Sequence, residues 1–190
     1  MASRAIGRSS VFPRVRSNAS RGDPYGQAEL VEYARAVNSS NLTRRVIFLD
    51  IDGVLAPITR WDRYGDLEPA CVQVLNEITV GGSAEVVVSS TWRYGRTVDE
   101  LQAMLEAAGF TGRVVDTTPI GAPGADRGDE IAAWLAENAV GGYVIIDDHV
   151  NVGELRAQLV LTQPSRGLQP ADAPRAIAIL LGPEGRKPPS

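Results

Sequence analysis

Val46-Ile47-Phe48-Leu49-Asp50-Ile51-Asp52-Gly53-Val54 is the stretch from which the rest of the chain is read. Four consecutive apolar residues form a strand-length run with no polar alternate, the pattern of a strand covered on both faces of a parallel sheet. Two aspartates spaced by two follow at once, and in extended chain that spacing projects both to one side. Gly53 then permits a sharp turn. Acids set directly against a buried strand end are costly without a cation or hydrogen-bond donors. The stretch therefore predicts a parallel α/β sheet with a polar site at its carboxyl edge; a polar turn with helix-capping acids is the plainer alternative.

Outward from this strand the pattern alternates. Pro69 opens an amphipathic segment with Val72, Leu75 and Ile78, expected to close at Gly81-Gly82 as helices commonly do. Val86-Val87-Val88 is a second buried strand, and Val98, Leu101, Met104, Leu105 and Ala108 form a second helix ending at Gly109. Arg113-Val114-Val115 is the third strand. Ile131, Trp134 and Leu135 lie on a third helix closed near Gly141-Gly142, and Tyr143-Val144-Ile145-Ile146 is the fourth strand. Leu155 and Leu159 suggest a short helix, Leu159-Val160-Leu161 a fifth strand, and Pro170 through Leu181 a last helix. This alternation predicts an α/β Rossmann-like fold, a three-layer sandwich around a mostly parallel five-stranded sheet. In such sheets ligands bind beyond the carboxyl ends of the strands.

Composition narrows the chemistry. The 190 residues suit one domain plus flanking segments, expected as an arm over 1–44, a core over 45–182 and a tail over 183–190. One cysteine, Cys71, and one histidine, His149, cannot build a zinc site, and a serine triad would have to use His149. Any metal must then take mostly oxygen ligands, which favours Mg²⁺, Mn²⁺ or Ca²⁺. Arginine supplies every basic side chain but Lys187. Residues 1–44 carry seven arginines against three acids, and residues 45–190 carry twelve basic against twenty acidic groups. The body of the chain is no general polyanion binder. The first 22 residues, with Arg4, Arg8, Arg14, Arg16 and Arg21 and no acid, read as a disordered tail, an organellar transit peptide or a nucleic-acid-seeking arm. Ala28, Leu30, Val31, Ala34 and Val37 have the spacing of a short helix. No apolar run reaches membrane-span length. The expected location is cytoplasmic, or organellar if residues 1–22 are a transit peptide.

Each strand end carries polar chemistry. Ser89-Ser90-Thr91 after the second strand can hold an anion, although the same residues could simply cap the next helix. Arg127 before the third helix can point at an anion over the strand ends, or pair on the surface with Asp129 and Glu130. Asp147-Asp148 after the fourth strand repeat the costly acid pair of the first, and a bound metal is the simplest remedy. Asp116, after the third strand, reads as a loop acid, and His149 has no evident partner. Carboxylates, hydroxyls and a guanidinium converging on one edge suit phosphoryl transfer to or from a carboxylate nucleophile.

In these residues the chain resembles the haloacid dehalogenase (HAD) superfamily of aspartate-nucleophile phosphohydrolases. Phe48 through Leu55 looks like its first motif, Val88-Ser89 the second, Arg127 the third and Ile146-Asp147-Asp148 the fourth. Ser89-Ser90-Thr91-Trp92-Arg93, Thr118-Pro119 and Arg127-Gly128-Asp129-Glu130-Ile131 look more narrowly like the HAD domains of the Swiss Army Knife RNA repair proteins. The resemblance covers residues 45–182. It implies an Mg²⁺-dependent phosphatase in which Asp50 attacks phosphorus to give an aspartyl-phosphate. Asp52 would serve as acid and then base. Asp50, the Asp52 backbone carbonyl, Asp147 and Asp148 would hold the metal, and Ser89 or Ser90 with Arg127 the phosphoryl oxygens.

Between the first motif and Pro69, and between Arg93 and Asp126, there is no room for a folded cap domain. An open site suits a large phosphorylated substrate, and the expected one is a nucleotide or nucleic-acid end. Trp92, Arg93 and Tyr94, with Trp61, Arg63 and Tyr64 of the short insert, could stack bases and contact phosphates; packing of Trp61 and Trp92 onto the core is the alternative. Three other readings stay open: a small-molecule phosphomonoesterase lidded by oligomerisation, a non-catalytic phosphate- or RNA-end-binding domain, and a phosphate-accepting receiver. A silent binder has no need of an acid at position 52, and a receiver's late lysine has no counterpart, since Lys187 lies past the last helix. Oligomeric state and leaving group are not encoded in any motif.

Overall fold

Side-chain alternation along one central strand sorts the molecule into its layers. The computed structural model of the chain describes residues 44–59, 66–122 and 124–182. The expected arm and short helix before residue 44, the insert residues Trp61, Arg63 and Tyr64, and the tail over 183–190 lie outside the described residues. Strand β1 (Arg45–Leu49) occupies the middle of a five-stranded sheet with β2 (Ala84–Val88), β3 (Val114–Thr117), β4 (Gly142–Asp147) and β5 (Leu159–Leu161), ordered β3-β2-β1-β4-β5. Every pairing is parallel. Ile47 and Leu49 face helices α1 (Pro69–Gly82), α2 (Val98–Ala107) and α4 (Ala173–Leu181), packing with Leu75, Leu101, Leu105, Ala176 and Leu180. Val46 and Phe48 face the other way, onto Ile131 and Trp134 of α3 (Arg127–Glu137). The Phe48 ring meets Trp134 edge-on, centroids 5.3 Å apart. With helices on both faces, all five strands can be apolar on both sides, which explains why their sequences do not alternate.

The strand order positions the site. The chain steps from β1 to β2 to β3 on one side, then returns through α3 to β4 on the other side of β1. Loops leaving β1 and β4 therefore diverge and open a crevice at their carboxyl ends. Register aligns its walls, because Leu49 pairs with Val88 of β2 and Ile146 of β4. Asp50, Ser89 and Asp147 thus leave the sheet at the same level.

Several local expectations change. Gly81 and Gly82 do not end α1; they lie within it, and Ser83 takes the left-handed cap conformation at φ 48°. The glycines instead admit α4, since a Cβ on them would come 2.6 Å from Ile177 Cδ1 and 2.5 Å from Leu180 Cδ1. Strand β3 runs on through Asp116, which is therefore no loop acid. The pairing with β2 shifts between Val86 and Val87, and Asp116 Oδ2 accepts the Trp134 indole N–H at 2.8 Å. The segment around Leu155 is a 3₁₀ turn (Gly153–Gln158), and Leu159 belongs to β5. The last helix begins with a separate 3₁₀ turn, Pro170–Asp172. Among the described residues no helix is long and apolar enough to cross a membrane.

At Gly142 the sheet approaches the last helix closely, so that an added Cβ would lie 2.3 Å from the Leu180 carbonyl oxygen. Backbone cannot yield as a side-chain tip can. Gly142→Ala is expected to lower the urea midpoint by an amount equivalent to ~1–3 kcal/mol, the usual cost of overpacking; an unchanged midpoint would contradict this packing.

Candidate active site

Backbone hydrogen bonds set the carboxylates before side chains contribute. The Asp50 N–H donates to the Ile146 carbonyl at 3.0 Å, locking the end of β1 to β4. Asp147 closes β4; its carbonyl accepts from Thr162 N–H at 3.0 Å, and its Oδ1 accepts from His149 N–H at 2.8 Å. Asp148 lies against Gly53. At φ +70°, Gly53 occupies the left-handed region, and a Cβ there would stand 2.3 Å from Asp148 Oδ2. Only glycine satisfies both demands. Thr162 pins this turn by donating its hydroxyl to the Gly53 carbonyl at 2.8 Å. As a result, Asp50, Asp147 and Asp148 bring carboxylate oxygens within 4.8 Å of one another.

Arg127, the first residue of α3, reaches the cluster from the opposite side. Its Nη1 lies 3.2 Å from Asp50 Oδ1 and 3.9 Å from Asp147 Oδ2, and it donates to the Ser89 carbonyl. Gly128 makes that approach possible, because a Cβ would strike the Val152 backbone at 2.6 Å. Its N–H donates to Asn151 O at 3.2 Å. Arg127 therefore does not pair on the surface with Asp129 or Glu130.

Charge is unbalanced here. Three ionised carboxylates facing one guanidinium leave two negative charges, the complement of a divalent cation. Burial, reinforced by the Asp50 charge, pushes the Asp147 carboxyl up to about 6. Burial likewise raises Asp148, partly offset by His149, whose Nε2 is 3.5 Å from Asp148 Oδ1. Asp147 Oδ2 is buried with no hydrogen-bond partner among the described residues. An all-oxygen donor set with an orphaned buried oxygen fits a hard divalent ion.

Asp52 stands apart from this cluster. Its Oδ2 accepts the Trp92 indole N–H at 2.9 Å, and its Oδ1 is buried without a partner among the described residues. Burial raises its carboxyl pKa, the Trp92 bond opposes that rise, and the Asp50 charge adds to it. Trp92 is half-buried and packs on the core, with its indole N–H engaged by Asp52. Spacing of forty residues between them gave no sign of this bond.

Arg93, expected to contact substrate, is instead 4% exposed. Its Nε donates to Thr118 O, its Nη1 to Ser89 O and Ser90 O, and its Nη2 to Pro119 O, while Nη2 also lies 2.7 Å from Glu130 Oε2. Five donors meet five acceptors, so none remains for a phosphate. Glu130, which the plainer alternative paired with Arg127, is the charge partner of Arg93. The two serines also separate. Ser90 Oγ caps the turn Thr91–Arg93 by accepting Trp92 N–H at 3.4 Å, whereas Ser89 Oγ is buried and unpartnered among the described residues.

The parallel five-stranded sheet with an aspartate cluster at its carboxyl edge agrees with a HAD-superfamily hydrolase. More narrowly, residues 46–173 match the family described as the HAD domain in Swiss Army Knife RNA repair proteins, and the chain belongs to it. A solved structure from Legionella pneumophila, of a hydrolase assigned to HAD subfamily III A, is similar at 12% identity and TM-score 0.35, covering 82% of this chain and 91% of that one. No curated protein matches the sequence significantly.

Burial and the neighbouring Asp50 charge push the Asp147 carboxyl up from an ordinary 3.8 to about 6 in the folded chain. The folded state thus holds an extra proton between these values, and this residue's contribution to stability falls as pH rises through that window. In EDTA, Asp147→Asn is expected to melt above the parent at pH 7, by the equivalent of about 3 kcal/mol, and to lose that advantage near pH 4. A parent that is the more stable at pH 7 without metal would contradict the burial account.

Proposed function

We propose that this domain is an Mg²⁺-dependent phosphatase acting through Asp50 on the phosphate of a nucleotide or nucleic-acid end. The observation that carries the reading is the placement of Arg127 3.2 Å from Asp50 inside a crowded carboxylate cluster. A lone acid cluster binds cations; a guanidinium beside the central aspartate adds a grip for the anion that aspartate would attack.

In this mechanism Asp50, Asp147 and Asp148 hold Mg²⁺, with the Asp52 carbonyl as a further ligand. The ion supplies charge neutralisation, letting a carboxylate and a phosphate approach. Arg127 fixes one Asp50 oxygen and is positioned to take phosphoryl oxygens as negative charge develops, with the unpartnered Ser89 hydroxyl as a second donor. Asp50 attacks phosphorus and forms the aspartyl-phosphate. Asp52, its pKa raised by burial and its orientation set by Trp92, gives a proton to the leaving alcohol. It then takes one from the water that hydrolyses the intermediate. The β1–α1 connection over 50–68 and the β2–β3 connection, taken up by α2, leave no folded cap among the described residues. A substrate that is itself large closes such a site.

The test is a phosphatase screen, with and without Mg²⁺, of an aryl phosphate, mononucleotides and oligonucleotides carrying 3′- or 5′-phosphate. Asp50→Asn is expected to lose at least ~10³-fold in kcat, the scale of removing a covalent nucleophile. Retention of most activity by that variant, or Mg²⁺-independent turnover, would sink the proposal.

A further inference from the structure

Resting on the phosphatase reading above, we propose that Tyr94 is the stacking platform for the substrate's nucleobase, the specificity element that makes a nucleotide the preferred phosphate ester. A cleft of about 330 Å³ opens beside the carboxylates, and Thr91, Tyr94, Arg127, Asp147, His149 and Asn151 are among its lining residues. It is at the small end of ligand sites, of the size for one nucleotide unit. Arg127, the proposed phosphate grip, and Tyr94 thus line the same cleft.

The tyrosine is both exposed and fixed. It is 49% exposed, and its backbone N–H closes the 3₁₀ turn by donating to Thr91 O at 3.0 Å. The Arg93 guanidinium lies over its ring, 5.0 Å from the centroid, within cation–π range. Because Arg93 is itself immobilised by five acceptors, the ring rests on a rigid support while about half of the residue stays exposed. An aromatic whose orientation is set in advance loses little entropy on stacking. Trp92, the other aromatic of the segment, is committed to Asp52.

The surroundings suit a planar, hydrogen-bonding ligand. Of the exposed large apolar residues described, Tyr94, Ile120, Val150 and Leu161 lie at the carboxyl ends of β2 to β5 or in the loops that leave them; Val80 alone lies elsewhere. Of these four only Tyr94 lines the cleft, and it is the aromatic one. Asn151, in the same cleft, offers both a donor and acceptors to a base edge.

The test uses the full chain with Mg²⁺ and compares adenosine 5′- and 3′-monophosphate with ribose 5-phosphate, which has phosphate and sugar but no base. Tyr94→Ala is expected to reduce the preference for nucleotide over ribose 5-phosphate, measured as the ratio of kcat/KM values, by about 5- to 100-fold, the effect of losing one base stack. The loss should fall mainly on KM, and Tyr94→Phe should keep the preference. Equal losses on both ester types, or an unchanged ratio, would overturn the assignment while leaving the phosphatase reading intact. Calorimetric titration of Asp50→Asn with adenosine monophosphate and with inorganic phosphate separates the two claims if no ester is hydrolysed. Nucleotide binding that weakens on adding Tyr94→Ala would sustain the platform without the activity; binding indifferent to Tyr94, or no nucleotide binding, would remove it.

Discussion

The carboxylates of Asp50, Asp147 and Asp148 repel one another, and the sheet leaves them no way apart. β1 and β4 are paired in register through Leu49 and Ile146, so the residues that follow emerge side by side. The Asp50 N–H is bonded to β4, and Gly53 has no side chain to keep Asp148 away. Relief must come from a cation, and the structure supplies part of it through Arg127. Helix α3 crosses behind the sheet on the Phe48 and Trp134 face, and its first residue arrives at the carboxyl edge because Gly128 can touch the 151–152 backbone. The remaining negative charge is the standing invitation to a divalent metal. Fold and chemistry are thus one electrostatic problem.

A second arginine, this one buried, organises what surrounds that cluster. Arg93 gathers the carbonyls of Ser89, Ser90, Thr118 and Pro119 and the Glu130 carboxylate, joining the ends of β2 and β3 to α3. A buried guanidinium with every donor satisfied is acceptable where one missing partner would be costly. Lysine, with three donors from one point, could not serve five acceptors spread over three segments. Arg127 acts on the charge and Arg93 on the geometry; they share the Ser89 carbonyl.

Much of this was legible. Val46 through Gly53 announces a buried parallel strand ending in acids, and the repetition of hydroxyls, arginine and paired acids after later runs places them on one edge. The glycines were misread because Gly81-Gly82 has the same composition whether it ends a helix or admits a neighbour; the choice depends on Ile177 and Leu180, almost a hundred residues on. Asp116 looked like a loop acid since a strand that slips its pairing carries no local mark. Trp92 and Arg93 looked like substrate contacts because aromatic and basic residues beside a motif have the same composition whether they face solvent or the interior.

The sequence by itself determined the class of fold and the cast of the site. Apolar runs of strand length and helical periodicity are local consequences of backbone geometry, and four aspartates with one arginine at the run ends follow from counting along the chain. The tertiary structure decided which of those residues meet and which are consumed. Arg93 lies 37 positions from Glu130 and Trp92 forty from Asp52, and such partners are set by strand order and crossover, not by neighbours in sequence. The same packing that withdrew Trp92 and Arg93 into structural roles left Tyr94 half-exposed on an immobile cation. Exposure is a property of the assembled surface, and no local pattern of residues encodes it.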